Sequence, residues 1–436
     1  MKRLLALLLL LAPLPALAMT PIQAKTLPNG LRILLIEAHN VPMVSMQLTL
    51  PAGSRFDASG REGTAALLAA MLTDHTGKTA HQAWAERLDA EAIQLGAGAD
   101  REQFNLSLTV VRDSLPSGLD AFAEALLHPG WDGKRFALIR DDSMAAKLKA
   151  REEAATHLAE EGMHLLFGNH PYGQSENGTL DTLARIEIPD MQRLYAAQFK
   201  PQGAVLAVSG DITLAELESL LSEKLAGWQG APATALGDIA APQSMAAARL
   251  DIELPTTQTL VALLHLGPSR HADDFFAAYL LNHILGGGGF SSLLMGEVRE
   301  KRGLVYGIYS YFEPLTVAGP FLIELQTRAD RAQEAETVVR SVLARLYAGQ
   351  IDPAAVAVAK ANLTGGFVRR IDSNRERVAL LSMIGFYSLP LDYLEGWTSR
   401  IDSITLGGLK ECARRYLDPE QWSVVRIGPN LGGAQP

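Results

Sequence analysis

His157-Leu-Ala-Glu160-Glu161-Gly-Met-His164 is a dense run of side chains able to ligate a metal. On a regular helix His157, Glu161 and His164 stand at i, i+4 and i+7 and share one face. Two imidazoles and a carboxylate make a zinc donor set. The same spacing arises on any charged, solvated helix, and this segment is rich in such charge, so an exposed polar face is expected. His75 and His81 lie beside Asp74 in a second, looser group. The one cysteine, Cys412, sits in a helical pattern from Leu409 to Tyr416 with no histidine close in sequence. It reads as a small buried apolar residue rather than a nucleophile. Gly286 to Gly289 lacks the Gly-Lys-Ser/Thr ending of a phosphate loop, and Ser291 stands where a dinucleotide fingerprint needs its third glycine. The glycine run is therefore expected to be a tight or flexible turn after a helix. No Gly-x-Ser-x-Gly elbow occurs.

These residues must be held by a chain of 436 residues, 48% hydrophobic and 20% charged. That is ordinary globular composition and enough length for more than one domain. Lys and Arg total 39 against 48 Asp and Glu, a net charge of −9. An acidic chain lacks the basic face of a general nucleic-acid binder. Lys2 and Arg3, an apolar run from Leu4 to Leu11, and Ala16-Leu17-Ala18 have the layout of a cleavable secretory signal. Residues 1–18 are expected to be removed, with export to a periplasm, and no later segment is apolar enough to span a membrane. A single thiol provides no disulfide framework, so core burial must hold the exported protein together.

The chain is written twice. Tyr195 to Pro201, followed by Ala204-Val-Leu-Ala-Val208 and Gly210, parallels Tyr416 to Pro419, Ser423-Val-Val-Arg-Ile427 and Gly428. Near the start of each half, Leu48-Thr-Leu-Pro-Ala-Gly-Ser54-Arg55 parallels Leu264-His-Leu-Gly-Pro-Ser269-Arg270. Gly227 to Pro242, rich in Ala, Gly and Pro, reads as the connection. The expected domains are 19–228 and 246–432, joined by 229–245. Strands are expected at Gly30–Ile36, Val44–Leu50, Phe104–Val110, Leu260–Leu266, Tyr306–Phe312 and Phe321–Thr327. Helices are expected at Gly63–Thr73, Leu115–Leu127, Lys134–Leu166, Asp273–Leu285 and Ala332–Leu346. The fold class is α+β: two homologous domains, each a mostly antiparallel sheet with helices packed on one face.

The order Leu27-Pro-Asn-Gly-Leu-Arg32, Ala52-Gly-Ser-Arg55, Gly63-Thr before an apolar helix, His170-Pro-Tyr-Gly173, and Val298-Arg-Glu-Lys-Arg-Gly-Leu-Val-Tyr306 resembles the M16 family of zinc peptidases. The resemblance covers essentially the whole chain after residue 18. Active members carry His-x-x-Glu-His on the helix after the Gly-Ser-Arg strand, with a further Glu roughly 75 residues on. It implies that these four positions fall here on Ala66, Ala69, Ala70 and Ala146. No histidine lies between Asn40 and Asp74 to replace them. Alanine keeps the helix and offers no ligand.

The resemblance also implies roles for the second half. Arg299 and Tyr306 correspond to a family pair that grips the substrate backbone or a developing oxyanion. Gly287 and Gly288 belong to a glycine-rich loop like that of the non-catalytic subunit of the mitochondrial enzyme. The implied protein is a non-catalytic, substrate-binding subunit that pairs with a homologous zinc-bearing subunit in the periplasm. It would have no catalytic residue, metal or cofactor of its own, with zinc only in the partner. The alternative is a homodimer that holds exported peptides and cleaves nothing. Neither reading names the peptide.

Overall fold

The computed structural model describes residues 21–366, 372–429 and 431, so the secretory signal read at 1–18 lies outside the described residues. Among those described, no helix is long and apolar enough to cross a membrane.

The written repeat folds as two sheets. The first contains β1 (Gln23–Thr26), β2 (Arg32–Glu37), β3 (Met43–Leu50), β4 (Gln94–Ala99), β5 (Phe104–Val111) and β6 (Val205–Gly210), in the order β1-β2-β6-β3-β5-β4. The second contains β7 (Arg249–Glu253), β8 (Thr259–Leu266), β9 (Ile308–Phe312), β10 (Pro320–Thr327) and β11 (Ser423–Gly428), in the order β7-β11-β8-β10-β9. In both, the last strand of the half inserts near the first. β6 runs parallel to β2 and β11 parallel to β7, and the remaining pairs are antiparallel. The helices that matter below are α1 (Thr64–Asp74), α2 (Leu115–Leu127), α3 (Gly133–Ala150) and α4 (Asn374–Phe386).

Strand β2 explains how the halves interlock. After Arg32 it reads Ile33-Leu34-Leu35-Ile36, an unbroken apolar run that demands cover on both faces. Ile33 and Leu35 enter the first half's own core beside Met46, Leu48 and Leu68 of α1. Leu34 and Ile36 point the other way, into a core with Val378, Leu381 and Ile384 of α4, which belongs to the second half. The contact is close: a Cβ on Gly385 would lie 2.3 Å from Val205 Cγ1. The exchange is reciprocal. Leu158, Met163, Leu166 and Phe167 of the first half pack on Leu260, Leu264 and Val425 of the second sheet. At ~1.5–3 kcal/mol for each fully buried large apolar side chain, either swapped face is a major tie between the halves. Helices thus cover both faces of each sheet, where one face was expected.

That exchange also breaks the long helix expected over Lys134–Leu166. Helix α3 ends at Ala150, Glu153 is extended, and the chain resumes at Ala154–His157 before a π-turn at Leu158–Gly162 and a last helical piece at Met163–Phe167. Arg151-Glu152-Glu153 contains no helix breaker. The bend comes from tertiary demand, because α3 stays on the first half while Leu158–Phe167 must reach the second sheet.

Candidate functional site

Helix α1 starts where the Asp57 carboxylate accepts from the backbone N–H groups of Gly63 (2.9 Å) and Ala65 (3.0 Å), capping its N-terminus. It packs against β4 and α3. Ala66 of α1 and Ala146 of α3 line one cavity of about 530 Å³ with Leu67, Lys147, Glu160 and Arg101. Ala69 is buried, and Ala70 is exposed beside a neighbouring cavity that includes Asp74 and His81. The structure therefore brings Ala66 and Ala146 to one cavity, with Ala69 and Ala70 a turn further along the same helix.

The polar rim of this cavity is closed in ion pairs. Lys147 Nζ lies 2.5 Å from Glu160 Oε1. Arg101 lies 2.7 Å from Glu176 and donates to the Tyr172 carbonyl at 2.8 Å. Zinc needs lone pairs from imidazole, thiolate or carboxylate in a tetrahedral set. Here the expected donor positions are methyl groups, and an ammonium stands beside them. These residues do not fit zinc. Among the described residues no group of three His, Cys, Asp or Glu is arranged to hold a metal.

The other histidine groups have structural settings. His157 lies 2.9 Å from the Arg151 carbonyl, and the π-turn at Leu158–Gly162 removes the regular spacing that would align it with Glu161 and His164. Glu161 and His164 are exposed. Asp74 joins Arg135 (2.5 Å), His75 (2.9 Å) and His81 (3.1 Å), while His75 Nε2 accepts from the Asp132 N–H. Burial pushes the Asp74 carboxyl up, but the Arg135 and His75 hydrogen bonds bring it below its ordinary value. This cluster ties the end of α1 to the start of α3. Cys412 is buried, and burial pushes its thiol up to about 12.

The second half carries a different arrangement. A π-turn at His283–Gly287 opens the glycine run, and a second at Met295–Glu300 bears Arg299. Gly286 is required where it is, since a Cβ there would lie 2.6 Å from the Ser310 nitrogen of β9. Gly287 is exposed and Gly288 half-buried. The chain then turns Phe290 outward. The Arg299 guanidinium sits 4.8 Å from the Phe290 ring centroid and 5.4 Å from that of Tyr306. Phe290 is 69% exposed and Tyr306 88%. Tyr306 precedes β9 rather than opening it, so it is not the strand packing residue that a strand at Tyr306–Phe312 would make it.

Charge pairing singles out Arg299. Glu297 takes Lys301 (3.0 Å), Arg302 (2.8 Å) and Arg345 (3.1 Å). Hydrogen bonds from Arg302 and Lys301 hold its carboxyl down at about 2. Among the described residues the Arg299 guanidinium has no hydrogen-bond or ion-pair partner. It retains its donors, held between two exposed rings. Arg299 and Tyr306 do not line the Ala66 cavity.

Two features escaped the sequence. Phe290, the second ring on Arg299, had only its place after the glycine run to mark it. Among the described residues strand β4 pairs with β5 alone and leaves a free backbone edge beside α1. Its sequence, Gln-Leu-Gly-Ala-Gly-Ala, has no β-branched or aromatic residue to announce a strand.

Comparison with known proteins matches residues 32–176 to the model for insulinase (peptidase family M16) and residues 185–363 to that for the peptidase M16 inactive domain. The crystal structure of a peptidase M16 inactive domain from Pseudomonas fluorescens superposes with a TM-score of 0.89 at 31% identity, covering 95% of this chain and 99% of that one. An uncharacterized zinc protease of Mycobacterium leprae is 25% identical over 410 residues, 93% of this chain and 91% of its own. The non-peptidase homolog YmxG of Helicobacter pylori is 22% identical over 387 residues, 88% of each chain.

Proposed function

The chain belongs to the M16 family of peptidases, and on that premise we propose that it binds peptide without hydrolysing it, as the non-catalytic subunit of a periplasmic heterodimer. A homologous subunit supplies the zinc and the catalytic carboxylate. This chain supplies Arg299 and Tyr306, with Gly287 and Gly288 in the loop beside them, as a grip on the substrate. One juxtaposition carries the reading: the ligand positions are alanine around a retained cavity, while Arg299, half-buried and without a charge partner among the described residues, stands beside an exposed phenol. Guanidinium and phenol are hydrogen-bond donors suited to peptide carbonyls. The free edge of β4 adds a backbone able to pair with an extended peptide. That edge also favours the second reading, a homodimer that captures peptide on its own.

Reconstitution with the zinc-bearing homologue tests the proposal. Arg299→Ala should slow peptide cleavage by the pair roughly 10- to 1000-fold, the worth of a charge-assisted contact of ~1.5–4 kcal/mol. Tyr306→Phe keeps the ring and removes only the hydroxyl, so turnover should fall with the melting temperature unchanged. Unchanged turnover in both variants would remove them from the site. Peptide binding by this chain alone, eluting as a dimer of itself and forming no complex with the zinc-bearing homologue in size-exclusion chromatography, would favour the homodimer.

A further inference from the structure

Glu102 lies in the turn between β4 and β5 and is fully buried. Its carboxylate accepts from the Tyr172 hydroxyl of the first half, and from the Tyr387 hydroxyl (2.9 Å) and the Thr316 backbone N–H (3.1 Å) of the second. Tyr387 follows α4, whose apolar face already sits on the first sheet. Thr316 belongs to the second sheet itself, in the turn between β9 and β10. Strands β4 and β9 are the equivalent end strands of the two sheets, each paired on one side only among the described residues. One carboxylate thus joins the turns at the ends of both edge strands.

Both turns are fixed by their own hydrogen bonds. In the first half, the backbone N–H groups of Gly53, Ser54 and Arg55 donate to the carbonyls of Glu102, Asp100 and Arg101. The Asp100 carboxylate accepts from the N–H groups of Glu102 (2.9 Å) and Gln103 (2.7 Å). In the second half, the Glu313 N–H donates to the Pro320 carbonyl (3.0 Å) and the Gly267 N–H to the Gly319 carbonyl (2.8 Å). A Cβ on Gly319 would overlap the Glu313 carbonyl oxygen. The Arg270 N–H holds the Leu315 carbonyl (2.8 Å), and its guanidinium stands 5.0 Å from the Tyr387 ring centroid.

The apolar exchange between the halves is non-directional and tolerates small slides. A buried acceptor bonded from both sides is directional, and leaving its donors unpaired is costly. We propose that Glu102 is a positioning residue. It fixes the end of β4 against the end of β9, so that the free edge of β4 and the Arg299–Tyr306 pair, at the other end of β9, hold an extended peptide as one preorganised site. This role rests on the peptide-binding reading above. Two contacts held at a fixed span act as one bivalent site, and loosening the span lowers the effective concentration of the second contact. The consequence is a dependence on peptide length: a peptide that reaches one contact is indifferent to Glu102, and one that spans both is not.

Calorimetry with a nested set of synthetic peptides cut from one sequence reads this in the intact chain. Lengths of about 4 to 24 residues cover roughly 13 to 80 Å when extended. Affinity for the parent should step up at least ~tenfold at the length that reaches both contacts. Tyr387→Phe keeps the ring and removes one bond between the halves, and Glu102→Gln keeps the side-chain size and removes one acceptor oxygen. In both, the step should shrink ~fivefold or more, with short-peptide affinity within ~twofold of the parent. Spin labels at Gln94→Cys and Gln326→Cys, both exposed positions, in a Cys412→Ala background read the span without peptide. Their distance distribution should broaden in both variants. Binding of no peptide of any length by the parent would end the peptide-binding reading and this role together. Parent binding without a length step, or a step that survives both variants, would overturn the role of Glu102 alone. So would distance distributions unchanged in both variants.

Discussion

The two halves descend from one written pattern but have kept different things. Around Ala66 the first half keeps a shape, about 530 Å³ of cavity, and has methyl groups where a donor set would stand. Its charged rim is closed on itself, Lys147 on Glu160 and Arg101 on Glu176. Around Arg299 the second half keeps donors between two exposed rings. Its rings are exposed, and among the described residues its central cation has no charge partner while Glu297 gathers three neighbouring cations. The contrast separates fold from chemistry. Alanine on α1 preserves helix and packing at no cost in buried polarity, so under the proposed reading the half stays folded without zinc ligands. A half-buried arginine between two exposed rings is part of neither hydrophobic core, so core packing alone does not account for it.

The strongest way to break the contrast is to refill the cavity. Ala66→His, Ala69→Glu, Ala70→His and Ala146→Glu together should raise zinc affinity by roughly two orders of magnitude over the parent, read by calorimetry. Lys147 opposes this, since its ammonium would face a dication. Adding Lys147→Met should recover a further ~10- to 100-fold, the scale of an outer-shell correction. Ala69 is almost fully buried, so a glutamate there should also lower the melting temperature. No gain in zinc affinity, with or without Lys147→Met, would mean that α1 or the fourth position is misaligned with the family pattern.

What could be read from the residues follows the same division. Long apolar alternations gave strands and helices close to those observed: Val44–Leu50 against Met43–Leu50, and Leu115–Leu127 with identical bounds. The repeat gave the two sheets. The family order located Ala66 and Ala146, which do share a cavity although distant in sequence. The exchanged helices were legible only in retrospect, in the unbroken run Ile33 to Ile36, because the sequence does not say which half covers a two-sided strand. Strand β4 stayed hidden because pairing with β5, not propensity, makes it a strand. The π-turns at Leu158–Gly162 and Met295–Glu300 left no periodicity to detect, and the first of them undid the face expected from His157, Glu161 and His164.

A subtler change sharpens the second-half side of the contrast. Phe290→Ala removes one of the two rings holding Arg299 and leaves the guanidinium in place. A cation–π contact at an exposed site contributes ~0.5–1 kcal/mol, so peptide binding should weaken about two- to fivefold. The ring is 69% exposed, so unfolding free energy should stay within ~0.5 kcal/mol of the parent. A large loss of stability instead would make Phe290 part of the fold and weaken the case that this patch is kept for binding.

The smallest effect comes from Glu297, and it tests whether the unpaired state of Arg299 matters. Arg302 and Lys301 hold the Glu297 carboxyl below its ordinary value, with Arg345 adding to the pull. A lowered carboxyl stabilises the fold above its unfolded value and loses that contribution as pH falls from about 4.5 through about 2. Its partners are 40–66% exposed, and screening should keep the loss in Glu297→Gln under ~1 kcal/mol. The same substitution frees Lys301, Arg302 and Arg345 close to Arg299 and makes the patch more positive. If Arg299 receives peptide carbonyls or carboxylates, acidic peptides should associate with Glu297→Gln about two- to threefold faster at low ionic strength. The gain should vanish near 0.5 M salt, where the Debye length falls to roughly 4 Å. Neutral peptides should gain little. Equal rates for acidic peptides in parent and variant at low salt would place the docking surface away from Arg299, leaving the free edge of β4 to receive the peptide.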